Sequence, residues 1–373
     1  MENIIMQEKR TVAYAMLIAF FSIILTSCLK EDPLKVPFQS FTPVRLGDGW
    51  EIASPAEVGI DGEAMKEVYK FVHEDGNAWQ IRSLLIFRNN KLVAESYMKD
   101  PDDITNLHPM WSVTKGFIGI LTGIAVDKSL ISVNNTISDY LPMVSKHPEK
   151  SVITIENLLT MKSGINYHND GYNGEDCMLF REVPSNSIDF VLGLKMHDTP
   201  GASFRYKNSD PFLISAIIQE KVGKTTRDWA KEVLFDKIGI TSLEWRTYKD
   251  GVTLGGFGIL TTPRELGKLG QLVADDGMWG SEKIVGSSWI KEMTSSKIPA
   301  GETDWNISFG YLWWKDAVRN VMFMAGHGGQ FVFINKDKNL IVVMTSERHP
   351  AGDFSLSVED GLAIYDKINS ITR

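Results

Sequence analysis

Cysteine is almost missing from this 373-residue chain: only Cys28 and Cys177 are present. That excludes a disulfide-stapled scaffold. Long apolar runs are also scarce, and the one uncharged stretch near the start, Thr11 to Leu25, is too short for a comfortable membrane span. There is no basic cluster, and 39 Lys and Arg against 47 Asp and Glu leave a formal charge of -8. Both facts argue against a nucleic-acid partner. No His-Glu-x-x-His occurs, and the seven histidines do not cluster at metal-ligand spacing. No cofactor motif is found. Gly223-Lys224-Thr225 resembles half of a phosphate loop, but position 218, where such a loop needs its first glycine, is isoleucine. A Gly-x-Ser-x-Gly nucleophile elbow is absent as well.

What is present begins with an export pattern. Lys9 and Arg10 precede the apolar run, which ends in Leu25-Thr26-Ser27-Cys28. A basic start, an apolar core and small residues at its end read as a signal peptide over residues 1–27. The Leu-Thr-Ser-Cys ending resembles the lipobox of bacterial lipoproteins, which implies lipidation of Cys28 and a membrane-anchored N-terminus. Lys30-Glu31-Asp32 resembles the tag of surface-exported lipoproteins, so the expected location is the cell envelope, at the outer membrane. Residues 28–45, rich in Pro, Lys and Ser, read as a tether. Cys177 is left without a partner.

From residue 46 to 373 the pattern is that of one α+β domain. Apolar runs at 84–87 and 91–95 flank Arg88-Asn89-Asn90 and predict a hairpin. Further strands are expected at 307–314, 321–324, 330–334 and 340–345, and a closing helix at about 354–368. Helical periodicity dominates the middle. The expected architecture is an antiparallel sheet built from about 46–107 and 250–373, flanked by helices, with an inserted helical part at about 108–249. The segment 165–187 reads as an irregular loop of functional length.

Chemistry centres on Ser-x-x-Lys, which occurs four times. Ser27/Lys30 lies in the signal. Ser96/Lys99 sits at a strand, where residues three apart face opposite sides. Ser288/Lys291 lies on a helix whose Trp289, Ile290 and Met293 form the buried stripe, leaving Lys291 in solvent. Only Ser112/Lys115 opens a strongly apolar helix, running to about Ser129, where both residues share one face. Glycines 116, 119 and 123 on that helix suit close packing by a neighbour. A serine hydroxyl needs a base, and a desolvated lysine can serve.

Ser112-Val-Thr-Lys115, Tyr206-Lys-Asn208 and Gly326-His327-Gly328-Gly329-Gln330 occur in this order. Together with Leu158 to Gly164, Pro200-Gly201, Gly255-Gly256 and Thr261-Thr262-Pro263, they resemble the signatures of the serine beta-lactamase and penicillin-binding hydrolases. The similarity spans about 46–370 and is nearest to class C beta-lactamases and their esterase, D-amino-peptidase and amide-hydrolase relatives. It implies the beta-lactamase/transpeptidase fold and a serine hydrolase that forms an acyl-enzyme on Ser112. Lys115 and Tyr206 would move the proton, and either can be the base. Asn208 would orient Lys115 and meet the substrate. The resemblance also implies an oxyanion hole from the backbone N–H groups of Ser112 and Gln330, with His327 and Gly329 lining the same edge. Tyr167-His168-Asn169 is a rival Tyr-x-Asn match, set in a polar loop; Tyr167 and Tyr172 more plausibly line or cover the pocket.

His327 departs from the family pattern, which places a lysine there to attract a substrate carboxylate. A histidine is mostly neutral at pH 7. This favours a small ester or amide as substrate. A D-alanyl peptidase or beta-lactamase is the alternative within enzymes, and a penicillin- or peptide-binding lipoprotein without turnover the alternative of another class. For the aromatic run, alternation places Tyr311 and Trp313 on one face and Trp314 on the other, with core packing as the default.

Overall fold

Asn89 and Asn90 both adopt positive φ, 52° and 63°, which is the twist a two-residue hairpin needs. They join the two strands around which the sheet is laid down. The structure, a computed structural model, describes residues 36–74, 80–169, 186–347 and 356–373. The signal segment, Cys28, Tyr172 and Cys177 lie outside the described residues. Residues 37–373 form one unit.

The main sheet has eight strands: β1 (Glu51–Ile52), β2 (Ile81–Arg88), β3 (Lys91–Tyr97), β4 (Ser308–Phe309), β5 (Trp314–Asp316), β6 (Val321–Gly326), β7 (Gln330–Asn335) and β8 (Leu340–Ser346). Their spatial order is β1-β3-β2-β8-β7-β6-β5-β4. Every pairing is antiparallel except that of β1 with β3, so the sheet is mixed rather than purely antiparallel. Strands from the two ends of the chain meet at the β2–β8 pair, from Arg88↔Leu340 to Ile81↔Ser346. The run 307–314 is not one strand. It breaks between β4 and β5, where Leu312 takes φ 63°.

The long helices are α1 (Gly62–Glu74), α2 (Thr114–Asp127), α3 (Ser209–Val222), α4 (Pro263–Ala274) and α5 (Val358–Ser370). Alternation along the strands sorts the helices onto faces. Phe331 and Phe333 meet Gly361 and Tyr365 of α5, whereas Val332 meets Gly270 of α4. Tyr69 of α1 donates its hydroxyl to Leu84 O at 3.0 Å. The helix α4 starts at a side-chain cap, Thr262 Oγ1 accepting from the Glu265 N–H. Glu265 itself turns away and accepts the N–H groups of Thr241 and Ser242, each at 3.0 Å. The unit takes in residues 37–45 of the expected tether: Phe41 stacks on Tyr69 with centroids 5.2 Å apart, and the Val44 N–H donates to Glu95 Oε1 at 2.7 Å.

Helix α2 is buried on all sides from Thr114 to Ala125. Its three glycines let large rings close in. A Cβ at Gly116 would lie 2.1 Å from Met324 Sδ, and one at Gly123 would lie 2.2 Å from Trp289 Cδ1. The indole N–H of Trp313 donates to Gly116 O at 3.2 Å, and that of Trp289 to Gly119 O at 3.0 Å. These contacts offset the roughly 1 kcal/mol that each helical glycine costs. They also fix the register of α2 against the sheet, and with it the position of the residues at its mouth. The helix ends at Asp127, two residues before Ser129, which already has φ 56°. Among the described residues no helix is long and apolar enough to cross a membrane.

Candidate active site

Ser112 sits in a tight turn, Trp111–Val113, between the short strand His108–Pro109 and α2. That strand pairs with Ile259–Thr261. Trp111 has φ 48°, a conformation that costs a bulky residue about 1–2 kcal/mol. The turn is clamped on both sides by one residue. The Met110 N–H donates to Ile259 O at 2.9 Å, and the Ile259 N–H donates to Thr114 Oγ1 at 3.2 Å. Strand β6 closes in from the other side, where a Cβ on Gly326 would be 2.3 Å from Met110 O.

Lys115 follows one helical turn later and is 1% exposed. Its Nζ donates to Ser112 Oγ at 2.8 Å, to Asn208 Oδ1 at 2.6 Å and to Gly256 O at 2.6 Å. Two of these acceptors, an amide oxygen and a backbone carbonyl, can only accept. The third direction points at a hydroxyl, which can accept or donate. The geometry therefore suits an ammonium that donates three times. It equally suits a neutral amine whose lone pair faces the Ser112 proton.

Tyr206 hydrogen-bonds Ser112 from another direction, and its ring lies with its centroid 4.8 Å from Lys115 Nζ. The residue is part-exposed along its ring but its phenol is desolvated. Burial pushes the phenol well above the ordinary tyrosine range; the hydrogen bond with Ser112 acts in the opposite sense and is the smaller effect. At neutral pH Tyr206 therefore keeps its proton.

The segment Tyr206-Lys207-Asn208 presents Tyr206 and Asn208 to Ser112 and Lys115, while Lys207 points into the protein. Lys207 is buried and lies 3.3 Å from the fully buried Asp210, which also accepts from Ser163 Oγ at 2.7 Å. Burial raises the Asp210 carboxyl above its usual range, against the lowering by Lys207 and the serines. Gly256 packs against the same segment: a Cβ there would be 2.7 Å from Asn208 Cβ.

His327, Gly328 and Gly329 form the turn between β6 and β7, and both glycines have positive φ, 83° and 91°. His327 is exposed and meets the Trp111 ring edge-on, with centroids 5.5 Å apart. It lies in the turn, so it is not a structural strand residue. Gln330 opens β7. Its side chain turns into the sheet end, donating to Ser346 O at 2.7 Å and accepting the Ser346 N–H at 3.2 Å. Trp314 is stacked on Tyr206 at 5.7 Å, and Trp305 packs on Trp314 at 4.3 Å.

The structure thus gathers Ser112, Lys115, Tyr206 and Asn208 by direct contact, and sets His327 beside the turn that carries Ser112. Of the other Ser-x-x-Lys matches within the described residues, Ser96 pairs with His73 while Lys99 pairs with Glu347, and Ser288 and Lys291 are both exposed on their helix. Tyr167 of the rival motif is buried in the core. Sequence reasoning missed Asn169 and Asp210 and named Gly256 only as a flank. Trp314 was assigned to the core by default, and it is buried there, with its ring stacked against Tyr206. Among the described residues no group of three His, Cys, Asp or Glu could hold a metal ion.

A family model described as Beta-lactamase matches residues 82–359, which contain every one of these site residues. The chain belongs to the beta-lactamase family. Relatives within reach of comparison share little sequence. A 6-aminohexanoate-dimer hydrolase from Paenarthrobacter ureafaciens is 21% identical over 298 residues, covering 72% of this chain and 73% of that protein. Among solved structures, a family VIII carboxylesterase superposes with a TM-score of 0.66 at 14% identity, covering 83% of this chain and 97% of the other. A class C beta-lactamase gives 0.64 at 15% identity, covering 83% and 95%. The structural likenesses show that the beta-lactamase fold is retained, and the family match makes the chain a hydrolase of this superfamily.

Proposed function

We propose that this protein cleaves a small, uncharged ester or amide through an acyl-enzyme on Ser112. The observation that carries the proposal is the convergence of Lys115 Nζ and the Tyr206 phenol on one serine hydroxyl, with the other two Lys115 contacts held by Asn208 and Gly256. Ser112 Oγ attacks the carbonyl carbon as its proton passes to the Lys115 amine. Backbone N–H groups of Ser112 and Gln330 receive the developing oxyanion, each such donor being worth about 3 kcal/mol of barrier. Tyr206, which keeps its proton at neutral pH, donates it to the departing alcohol or amine and regains one from Lys115. A water molecule then repeats the sequence and releases the acid. Lys115 as base and Tyr206 as acid is the assignment favoured by the burial of the phenol.

Two features support an uncharged substrate. His327 stands where a lysine would draw in a carboxylate, and its neighbour across the turn is the indole of Trp111. Trp305 places an exposed aromatic ring beside Tyr206, with the buried Trp314 packed against both. An amide bond as the scissile bond is the second reading, supported by the relative named for hydrolysing a 6-aminohexanoate dimer. Labelling with a fluorophosphonate, followed by mass spectrometry, tests the nucleophile: the adduct is expected on Ser112 and is expected to vanish in Ser112→Ala. No adduct in the wild type, or equal labelling of the variant, refutes the mechanism. A panel of p-nitrophenyl esters, nitrocefin and D-alanyl peptides then sorts the substrates, with the esters expected to be turned over fastest.

We also propose that the chain is exported and anchored to the cell envelope by lipid on Cys28. Radiolabelled palmitate is expected to enter the wild type and not Cys28→Ser; equal incorporation removes the proposal.

A further inference from the structure

The rival Tyr-x-Asn match ends in a residue with a different task. Asn169 is exposed, yet its side chain is committed twice to the segment that carries Tyr206 and Asn208. Its Oδ1 accepts the Asn208 N–H at 2.8 Å, and its Nδ2 donates to Tyr206 O at 3.1 Å. The two contacts fix the orientation of the amide. Flipped, it would set an N–H against an N–H and an oxygen against an oxygen. The pattern is that of a parallel strand neighbour, in which one residue bonds the C=O before and the N–H after the residue it faces. A single side chain thus supplies a strand-like partner to this three-residue segment.

The opposite side of the segment is held by different groups. Lys207 pairs with Asp210, and the Arg205 N–H donates to Met161 O at 3.0 Å. Tyr206 and Asn208 are the residues on either side of the clamped peptide groups. Any rotation of those peptides moves the phenol away from Ser112 and the amide oxygen away from Lys115, where the contact is only 2.6 Å long. Misplacement of about 1 Å at such a site is enough to cost about a hundredfold in rate.

We propose that Asn169 is a positioning residue for the proton-transfer pair, acting through the backbone of Tyr206 and Asn208. The inference rests on the assignment of Ser112 as nucleophile and Tyr206 as its proton partner. It requires no contact between Asn169 and substrate.

A double-mutant cycle on the full chain tests it, read as the rate constant of fluorophosphonate labelling at Ser112 and as kcat and KM for a p-nitrophenyl ester. Asn169→Ala is expected to lower the labelling rate and kcat roughly tenfold, with KM within twofold, because a positioning defect acts on the reacting geometry. Asn169→Asp keeps the acceptor for the Asn208 N–H but turns a carboxylate oxygen on Tyr206 O, so it is expected to lose at least as much. In the Tyr206→Phe background the Asn169→Ala effect is expected to shrink at least twofold, since one of the two groups being positioned is gone. Wild-type rates in both Asn169 variants, or an equal loss with and without the Tyr206 hydroxyl, overturns the proposal while leaving Ser112 labelling and the hydrolase reading intact. Failure of the wild type to label at Ser112 removes the hydrolase reading and this inference with it.

Discussion

The rings of Trp111 and His327 meet edge to face, 5.5 Å apart at 78°, across the turn that positions Ser112. One residue comes from the strained turn before α2 and the other from the turn between β6 and β7. Together they form an edge of the site with no permanent positive charge at position 327. His327→Lys is therefore expected to raise kcat/KM for nitrocefin, which bears a carboxylate, by about tenfold, as a charge-assisted hydrogen bond would. Turnover of a neutral p-nitrophenyl ester should stay within threefold. If both substrates respond alike, position 327 has no part in reading substrate charge.

Trp111 and Trp305 are the exposed tryptophans of the described residues, 42% and 36% accessible, and both lie at the site. Exposed indoles are costly unless something covers them. Trp305→Ala is expected to raise KM about tenfold for p-nitrophenyl esters with aryl or medium-chain acyl groups, and to leave kcat within twofold. The acetyl ester, too short to reach the Trp305 ring, should change far less. Equal effects along the acyl series would place Trp305 outside the substrate path.

Much of this arrangement was legible before any coordinates. The Arg88-Asn89-Asn90 turn and the glycine stripe of α2 each express a local rule, and each is where the sequence places it. The order of the three motifs likewise pointed to Ser112, Lys115, Tyr206 and Asn208, which the fold brings together. What escaped is long-range. Asn169 bonds residues 37 and 39 positions away, and nothing in a polar loop announces such a pair. The run 307–314 alternates well enough to pass for a strand. It breaks because the chain reverses at Leu312, φ 63°, so that β4 and β5 pair antiparallel with each other, Phe309 opposite Trp314. The parallel β1 is two residues long, below what periodicity can detect. The helical segment 226–238 contains a π-helical turn at Lys231–Phe235, which side-chain spacing does not reveal.

Asp103 gives a pH-dependent prediction. It is buried, and Arg82 donates to both of its oxygens, at 2.9 and 2.8 Å, while His108 lies 2.7 Å from Oδ1. Burial works to raise the carboxyl, but the hydrogen bonds from His108 and Arg82 outweigh it and hold the group below its usual range. A folded carboxyl shifted downward stabilises the protein above the unfolded value, and the contribution is lost as pH falls through the folded one. Asp103→Asn is thus expected to cost about 2 kcal/mol at pH 7. The difference in melting temperature from wild type should narrow as pH is lowered from 5 towards 3. A gap that stays constant over that range would mean that the ion pair is not its source. His108 begins the strand that leads to Ser112, so activity should fall with the stability.

Gly256 has a tight steric requirement next to the reacting groups. Its carbonyl accepts from Lys115, and its α-carbon faces Asn208. An added methyl group would sit 2.7 Å from Asn208 Cβ and 2.9 Å from Oδ1, closer than carbon and oxygen pack. Neither neighbour can retreat cheaply: Asn208 is held by Lys115 and Asn169, and the adjacent Gly255 is itself pressed against Pro211 O. The strain must therefore be relieved by displacing the Asn208 amide from Lys115 or the Gly256 carbonyl from the same nitrogen. Either shift removes one of the two contacts that aim the amine at Ser112. Gly256→Ala is expected to cost about 1–3 kcal/mol of stability by overpacking and to lower kcat about a hundredfold through lost alignment. Gly301→Ala, where an added methyl meets nothing within 4 Å, is the matched control and should behave as wild type. Melting curves and ester kinetics on the two variants decide the point. A Gly256→Ala enzyme with wild-type kcat would show that Lys115 does not need this carbonyl to act on Ser112.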